Sequence, residues 1–274
     1  MGIATDIADD WHASLAALRW QVEAGADEAI GDIPVNRYEL AAEAPKLAAA
    51  PSRTSPAPRT EAATRGPAPV PGLPGDAVAM AKAVAGQAQT LDDLRAAMAG
   101  FDLCELKRGA RNTVFSDGNP AARVLILGEA PGREEDLEGR PFVGRAGQLL
   151  DRMFAAIGLS RTSADPETAL YITNVIPWRP PNNRDPEPSE IALMLPFVER
   201  HIALADPGFV VVMGNTPLDA LTGTRGILRA RGKWTQALGK PVLPMTHPAY
   251  LLRNPAAKRE AWGDLLALQV RLRG

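Results

Sequence analysis

The side chains of this 274-residue sequence best able to do chemistry stand in three short clusters. GEAPG carries Glu129 beside Gly128 and Ala130, is followed by Glu134, Glu135 and Asp136, and leads to Phe142 two residues before a glycine. Asn174 is followed by PWRPPNNR, with Arg179 and Arg184, and His247 by PAYLLR, with Leu251, Leu252 and Arg253. A carboxylate can stabilise positive charge or orient a water, an amide can read a polar edge in both directions, and an imidazole can donate or accept near neutral pH. Singly, each has an ordinary alternative. Asn174 could cap a turn, His247 could be a hydrogen-bonded core histidine, and Phe142 a core aromatic.

Their repeated placement is what points to a site. Each cluster follows a short apolar run: RVLILG, LYITNVI (170–176) and PVLPMTHP (241–248), with a fourth run, FVVVMG (209–214), between the last two. Runs this short, β-branched and closed by glycine or proline read as buried strands. Helical patterns separate them, at 146–157, about 188–205 and about 215–222, and a helix of about 257–272 closes the chain. Ala146, Leu149, Leu150, Met153, Phe154 and Ile157 fall at three- and four-residue spacing, so that helix has one apolar face. Strands alternating with helices predict a three-layer α/β/α domain around a central four-stranded parallel sheet. The carboxyl ends of parallel strands share one edge, where open α/β folds bind ligands, so the three clusters can converge.

Ahead of this domain, Ile7, Trp11, Leu15, Leu18 and Val22 form a helical stripe within residues 4–29, suited to docking on the main domain or on a partner protein. The expected division is an N-terminal helix over 1–30, a linker over 31–75 and the α/β domain over 76–274, opening with a helical segment at about 76–100. The linker has nine prolines and ten alanines and little to bury. The net charge of -2 hides an asymmetry: residues 1–100 carry 8 bases and 13 acids, and 101–274 carry 22 and 19. Between Asp219 and Glu260 eight bases and no acid occur, either a solvated face or a polyanion-binding surface. One cysteine, Cys104, excludes an internal disulfide and a cysteine-only metal site within the chain. A cytoplasmic setting fits, and no apolar run approaches the ~20 residues of a membrane span.

GEAPGREED, GRPFVG, ITNV, RPPNNR and HPAYLLR, in this order and spacing, closely resemble family 4 uracil-DNA glycosylases over about Phe101 to Leu268. The resemblance implies that uracil-containing single- and double-stranded DNA is the substrate, that uracil is released to leave an abasic site, and that the enzyme is a nucleoid-associated monomer. Residue by residue, it implies Glu129 beside the sugar, with Gly128, Glu129 and Ala130 lining the base. It implies Glu135 against C5 of uracil, Phe142 stacked on the flipped base, Asn174 reading its edge and His247 donating to O2. Arg179 and Arg184 would hold phosphates, and Leu251, Leu252 and Arg253 would enter the duplex. Ala130 stands where the better-known branch has a water-activating aspartate. The family's [4Fe-4S] cluster uses four cysteines; here Phe101, Trp178 and Met194 accompany Cys104, so no cofactor and no metal are expected. Apolar filling of that space is the expected role of the three, with exposure of Trp178 toward DNA as the alternative. A binding protein that retains uracil or abasic DNA with little turnover is the runner-up function.

Overall fold

The four apolar runs form the strands at the heart of one sheet, and their alternation explains the layers on either side. In the computed structural model, which describes residues 75–273, β1 (Asp117–Gly118), β2 (Val124–Gly128), β3 (Leu170–Asn174), β4 (Phe209–Met213), β5 (Thr235–Ala237) and β6 (Lys240–Met245) are ordered β1-β3-β2-β4-β6-β5. Strands β3, β2, β4 and β6 run parallel, and β1 and β5 flank them antiparallel. The expected four-stranded parallel sheet is therefore the centre of a six-stranded mixed one. The two added strands are two and three residues long and only partly buried, so they carry no apolar run that could announce them. The helix expected over 1–30 and nearly all of the linker expected over 31–75 lie outside the described residues.

Because side chains alternate across a strand, Leu125, Leu127, Tyr171, Val210, Val212 and Val242 enter one core cluster, while Val124, Ile126, Ile172, Val211, Leu243 and Met245 enter another. The first face is covered by α1 (Gly75–Gln87), α2 (Leu91–Gly100) and, beyond the short α3 (Leu106–Gly109) and α4 (Arg133–Glu138), by α6 (Pro188–Ala205). The second is covered by α5 (Arg145–Ala155) and by the last helix, α10 (Lys258–Arg273). Each apolar side chain of this size contributes roughly 1.5–3 kcal/mol when fully buried, which makes the sheet a rigid base for the loops at its edge. The single helical segment expected at 76–100 is two helices. Thr90 breaks it by accepting from the Asp93 N–H, while the Asp93 carboxylate accepts from the Thr90 N–H, a reciprocal cap.

Phe101, Cys104, Trp178 and Met194 all belong to the first core cluster. Trp178 is 1% exposed and donates its indole N–H to Thr113, so it faces the interior rather than a DNA surface. Phe101 packs edge-on against Phe197 at 5.1 Å. Among the described residues no helix is long and apolar enough to cross a membrane.

Candidate active site

Glu129, Ala130, Glu135, Phe142, Asn174 and His247 all line a cleft of about 630 Å³ at the carboxyl edge of the sheet. Adjacent parallel strands bring the first clusters together. Gly128 pairs with Asn174 in register, and the ladder continues as Val175 and Ile176 donate to the carbonyls of Gly128 and Glu129 at 2.9 and 3.0 Å. Asn174 is 6% exposed, and its amide makes no hydrogen bond to any described residue, leaving donor and acceptor both facing the cleft.

His247 precedes α9 (Pro248–Arg253) and caps it: its Nδ1 accepts from the Ala249 N–H at 3.1 Å. An accepting Nδ1 puts the ring proton on Nε2. Burial, reinforced by the nearby Arg253 charge and opposed by Glu135, lowers the imidazole pKa to about 4. The ring is thus a neutral donor at physiological pH. It stacks against Phe142 with centroids 5.3 Å apart. Phe142 itself sits at φ +54°, a left-handed conformation rarely adopted by a bulky residue.

Glu135 is held by the backbone. One carboxylate oxygen accepts from Gly132 N–H, the other from Val143 and Gly144 N–H, each at 3.0 Å. Glu129 is different. Burial pushes its pKa up, and the Thr216 hydroxyl, donating at 2.5 Å, opposes that rise. Thr216 belongs to α7 (Asn215–Thr222), which begins after Gly214 at φ +105°; Asn215 accepts from Gly226 and Ile227 N–H and so ties in α8 (Ile227–Ala230). Gly214, Asn215, Thr216, Ile227 and Leu228 line the cleft although the sequence reading passed over them. The glycine that closes FVVVM was the available signal: it ends a parallel strand on the same edge as the other clusters.

With that geometry in place, comparison with known proteins is decisive. Residues 115–266, more than half of the chain, match the family model described as the uracil DNA glycosylase superfamily. The chain belongs to this superfamily. Three relatives are named type-4 uracil-DNA glycosylases. That of Thermotoga maritima is 41% identical over 154 residues, 55% of this chain and 77% of the relative. That of Archaeoglobus fulgidus is 36% identical, covering 64% of this chain and 90% of the relative, and that of Sulfurisphaera tokodaii 36% identical, covering 62% and 79%.

At the rim of the cleft, burial and pairing separate residues that the sequence grouped together. Leu251 is 0% exposed and packs with Leu149 and Ala261, so it supports α9 from beneath and cannot enter a duplex without emptying that core; Leu252, 37% exposed, is the outward member of the pair. Arg184 lines the cleft, but its guanidinium is held bidentately by Glu190 at 2.6 and 2.9 Å. Arg179 donates to the Asn183 side chain. Arg253 and Leu228 both line the cleft, and Leu228 is 56% exposed. Of the acid-free segment's bases, Arg225, Arg231 and Lys240 pair with Asp219, Asp264 and Asp206, which lie at or outside its ends. Arg229, Lys233, Arg253, Lys258 and Arg259 make no ion pair among the described residues, and of these five Arg253 lines the cleft.

Proposed function

We propose that this protein is a monofunctional uracil-DNA glycosylase that hydrolyses the N-glycosidic bond of deoxyuridine in DNA, releasing uracil and leaving an abasic site, the entry step of base excision repair. The observation that carries the reading is the convergence of an uncommitted amide, a neutral imidazole donor, an aromatic ring and a carboxylate on one cleft.

Each residue has a role that its chemistry can perform. Breaking the bond leaves positive charge on the sugar and negative charge on uracil, chiefly at N1 and O2. His247 donates Nε2–H to O2 as that charge develops, and one such preorganised donor is worth ~3 kcal/mol of barrier. A neutral donor serves because it needs no compensating counter-ion in a buried site. The Glu129 carboxylate, beside the sugar, stabilises the cation and orients the attacking water. Ala130 offers no base.

Asn174 accepts from uracil N3–H and donates to O4, a pattern that cytosine reverses; the wrong base leaves buried polar groups unpaired. Glu135, fixed by three backbone N–H groups, crowds C5 against the thymine methyl. Phe142 stacks on the extruded base and recovers ~1–3 kcal/mol of the unstacking cost. Leu252 and Arg253 contact the duplex, Arg179 and Arg184 lie along the phosphates, and Leu228 extends the same rim.

The iron-sulfur cluster of family 4 does not fit this chain. Phe101, Trp178 and Met194, which stand in the sequence where the family has its other cysteines, share one apolar core with the lone Cys104 and offer no thiolate, and burial raises the pKa of the Cys104 thiol, disfavouring the thiolate a cluster needs. The enzyme works without the cluster, its structural place taken by apolar packing. Monomeric action in the cytoplasm at the nucleoid completes the reading.

The test is excision from defined strands carrying uracil, thymine or cytosine. Uracil alone should be released, and Asn174→Ala and His247→Ala should each abolish release while thermal unfolding remains cooperative. Retained activity in both variants would overturn the assignment.

A further inference from the structure

We propose that Arg161, outside the cleft and on the connection between α5 and β3, is a positioning residue for base recognition, acting through the backbone of Phe142. The inference rests on the reading of Phe142 as the stacking platform.

A phenylalanine at φ +54° persists only where its surroundings over-determine it. Three features do so here. Arg161 Nη1 donates to the Pro141 carbonyl and Nη2 to the Phe142 carbonyl, each at 2.9 Å. The following amides, of Val143 and Gly144, donate to the Glu135 carboxylate. The turn is therefore gripped from both ends, a cation on its carbonyls and an anion on its N–H groups, and charge-assisted bonds of this kind are the strong ones. Finally, Gly147 at the start of α5 leaves room for the strained backbone, since a Cβ there would stand 1.8 Å from the Phe142 carbonyl oxygen.

The guanidinium is itself locked. Its Nε donates to Asp151 at 2.8 Å and its Nη1 to Asp117 at 3.0 Å, and the side chain is only 9% exposed. Four bonds in a planar fork are beyond a lysine. Arg161 does not line the cleft, so it touches neither base nor sugar. Its effect passes through one element, the orientation of the Phe142 ring against His247.

The experiment is a double-variant cycle on a uracil-containing single strand, with kcat/KM measured for Phe142→Ala, Arg161→Ala and the pair, and thermal unfolding followed for all three. Phe142→Ala should lower kcat/KM by about five- to 150-fold, and Arg161→Ala by about tenfold. The pair should fall within twofold or so of Phe142→Ala alone. Added guanidinium should restore part of the Arg161→Ala activity when Phe142 is present and none when it is absent. Multiplying losses, or rescue in both backgrounds, would show a general structural role and overturn the proposal. If Phe142→Ala were fully active, the platform reading itself would fail instead. Should Arg161→Ala not fold, Asp117→Asn, which loosens the guanidinium from behind, replaces it in the kcat/KM cycle, where a pair within twofold or so of Phe142→Ala alone supports the proposal and multiplying losses overturn it.

Discussion

Replacing Gly128 by alanine should disable base recognition while leaving the fold intact. Gly128 ends β2 and is not in the left-handed region, so its backbone suits any residue. What the position cannot hold is a Cβ. One built there lies 2.3 Å from Asn174 Oδ1 and 2.6 and 2.8 Å from two atoms of the Phe142 ring. Ordinary contact begins near 3.4 Å, so the amide must retreat by about 1 Å, a misplacement worth ~10²-fold in rate, or ~2.7 kcal/mol of barrier. Both obstructed groups are side-chain ends facing the cleft. They can yield into it, so the sheet beneath does not have to move. The assay is single-turnover release of uracil from a labelled strand, with protein in excess, alongside thermal unfolding. A ~100-fold slower rate with a nearly unchanged Tm is expected. A rate within threefold of the parent would refute the claim that the Asn174 and Phe142 positions set recognition, and a loss matched by a collapse in Tm would refute the claim that the effect is local.

Other consequences follow from groups that the structure places in contact. The Thr216 hydroxyl favours ionised Glu129 against the upward push of burial, so Thr216→Val should raise the Glu129 pKa further. Less of the carboxylate is then ionised at a given acidic pH, and the acid limb of kcat/KM should move to higher pH; an unmoved limb would remove Glu129 from the rate-determining chemistry. Leu251→Ala should cost ~2–5 kcal/mol of stability measured by denaturant unfolding. Leu252→Ala should leave stability unchanged and slow excision more on duplex than on single-stranded DNA. The purified protein should contain no stoichiometric iron by metal analysis and show no visible cluster absorbance, and chelator treatment should leave excision unaltered.

The parallel centre of the sheet was legible because each strand is an apolar run buried on both faces, a pattern that needs no tertiary knowledge to see. The edge strands were not, since Asp117–Gly118 and Thr235–Ala237 owe their pairing to neighbours rather than to their own composition. Similarly, Glu129, Asn174 and His247 could be found because each lies at a strand end or within two residues beyond it. Thr216 could not, because its importance lies in reaching across 87 positions to a buried carboxylate. Leu251 and Leu252 show the same limit at the scale of one helical turn. Adjacent identical residues in PAYLLR differ only in which way α9 turns them, one into the core and one outward. Arg161 was invisible for a related reason, since its partners are backbone carbonyls 19 and 20 positions away.

The most direct test of the central claim is to incubate the purified full-length protein, first in excess and then in shortage, with a labelled DNA strand carrying one uracil, followed by alkaline cleavage at abasic sites. Cleavage at the uracil position under both conditions, and none in a matched thymine strand, is the predicted result. Cleavage only with protein in excess would contradict turnover and indicate a protein that holds its product, and no cleavage under either condition would contradict the enzymatic assignment itself.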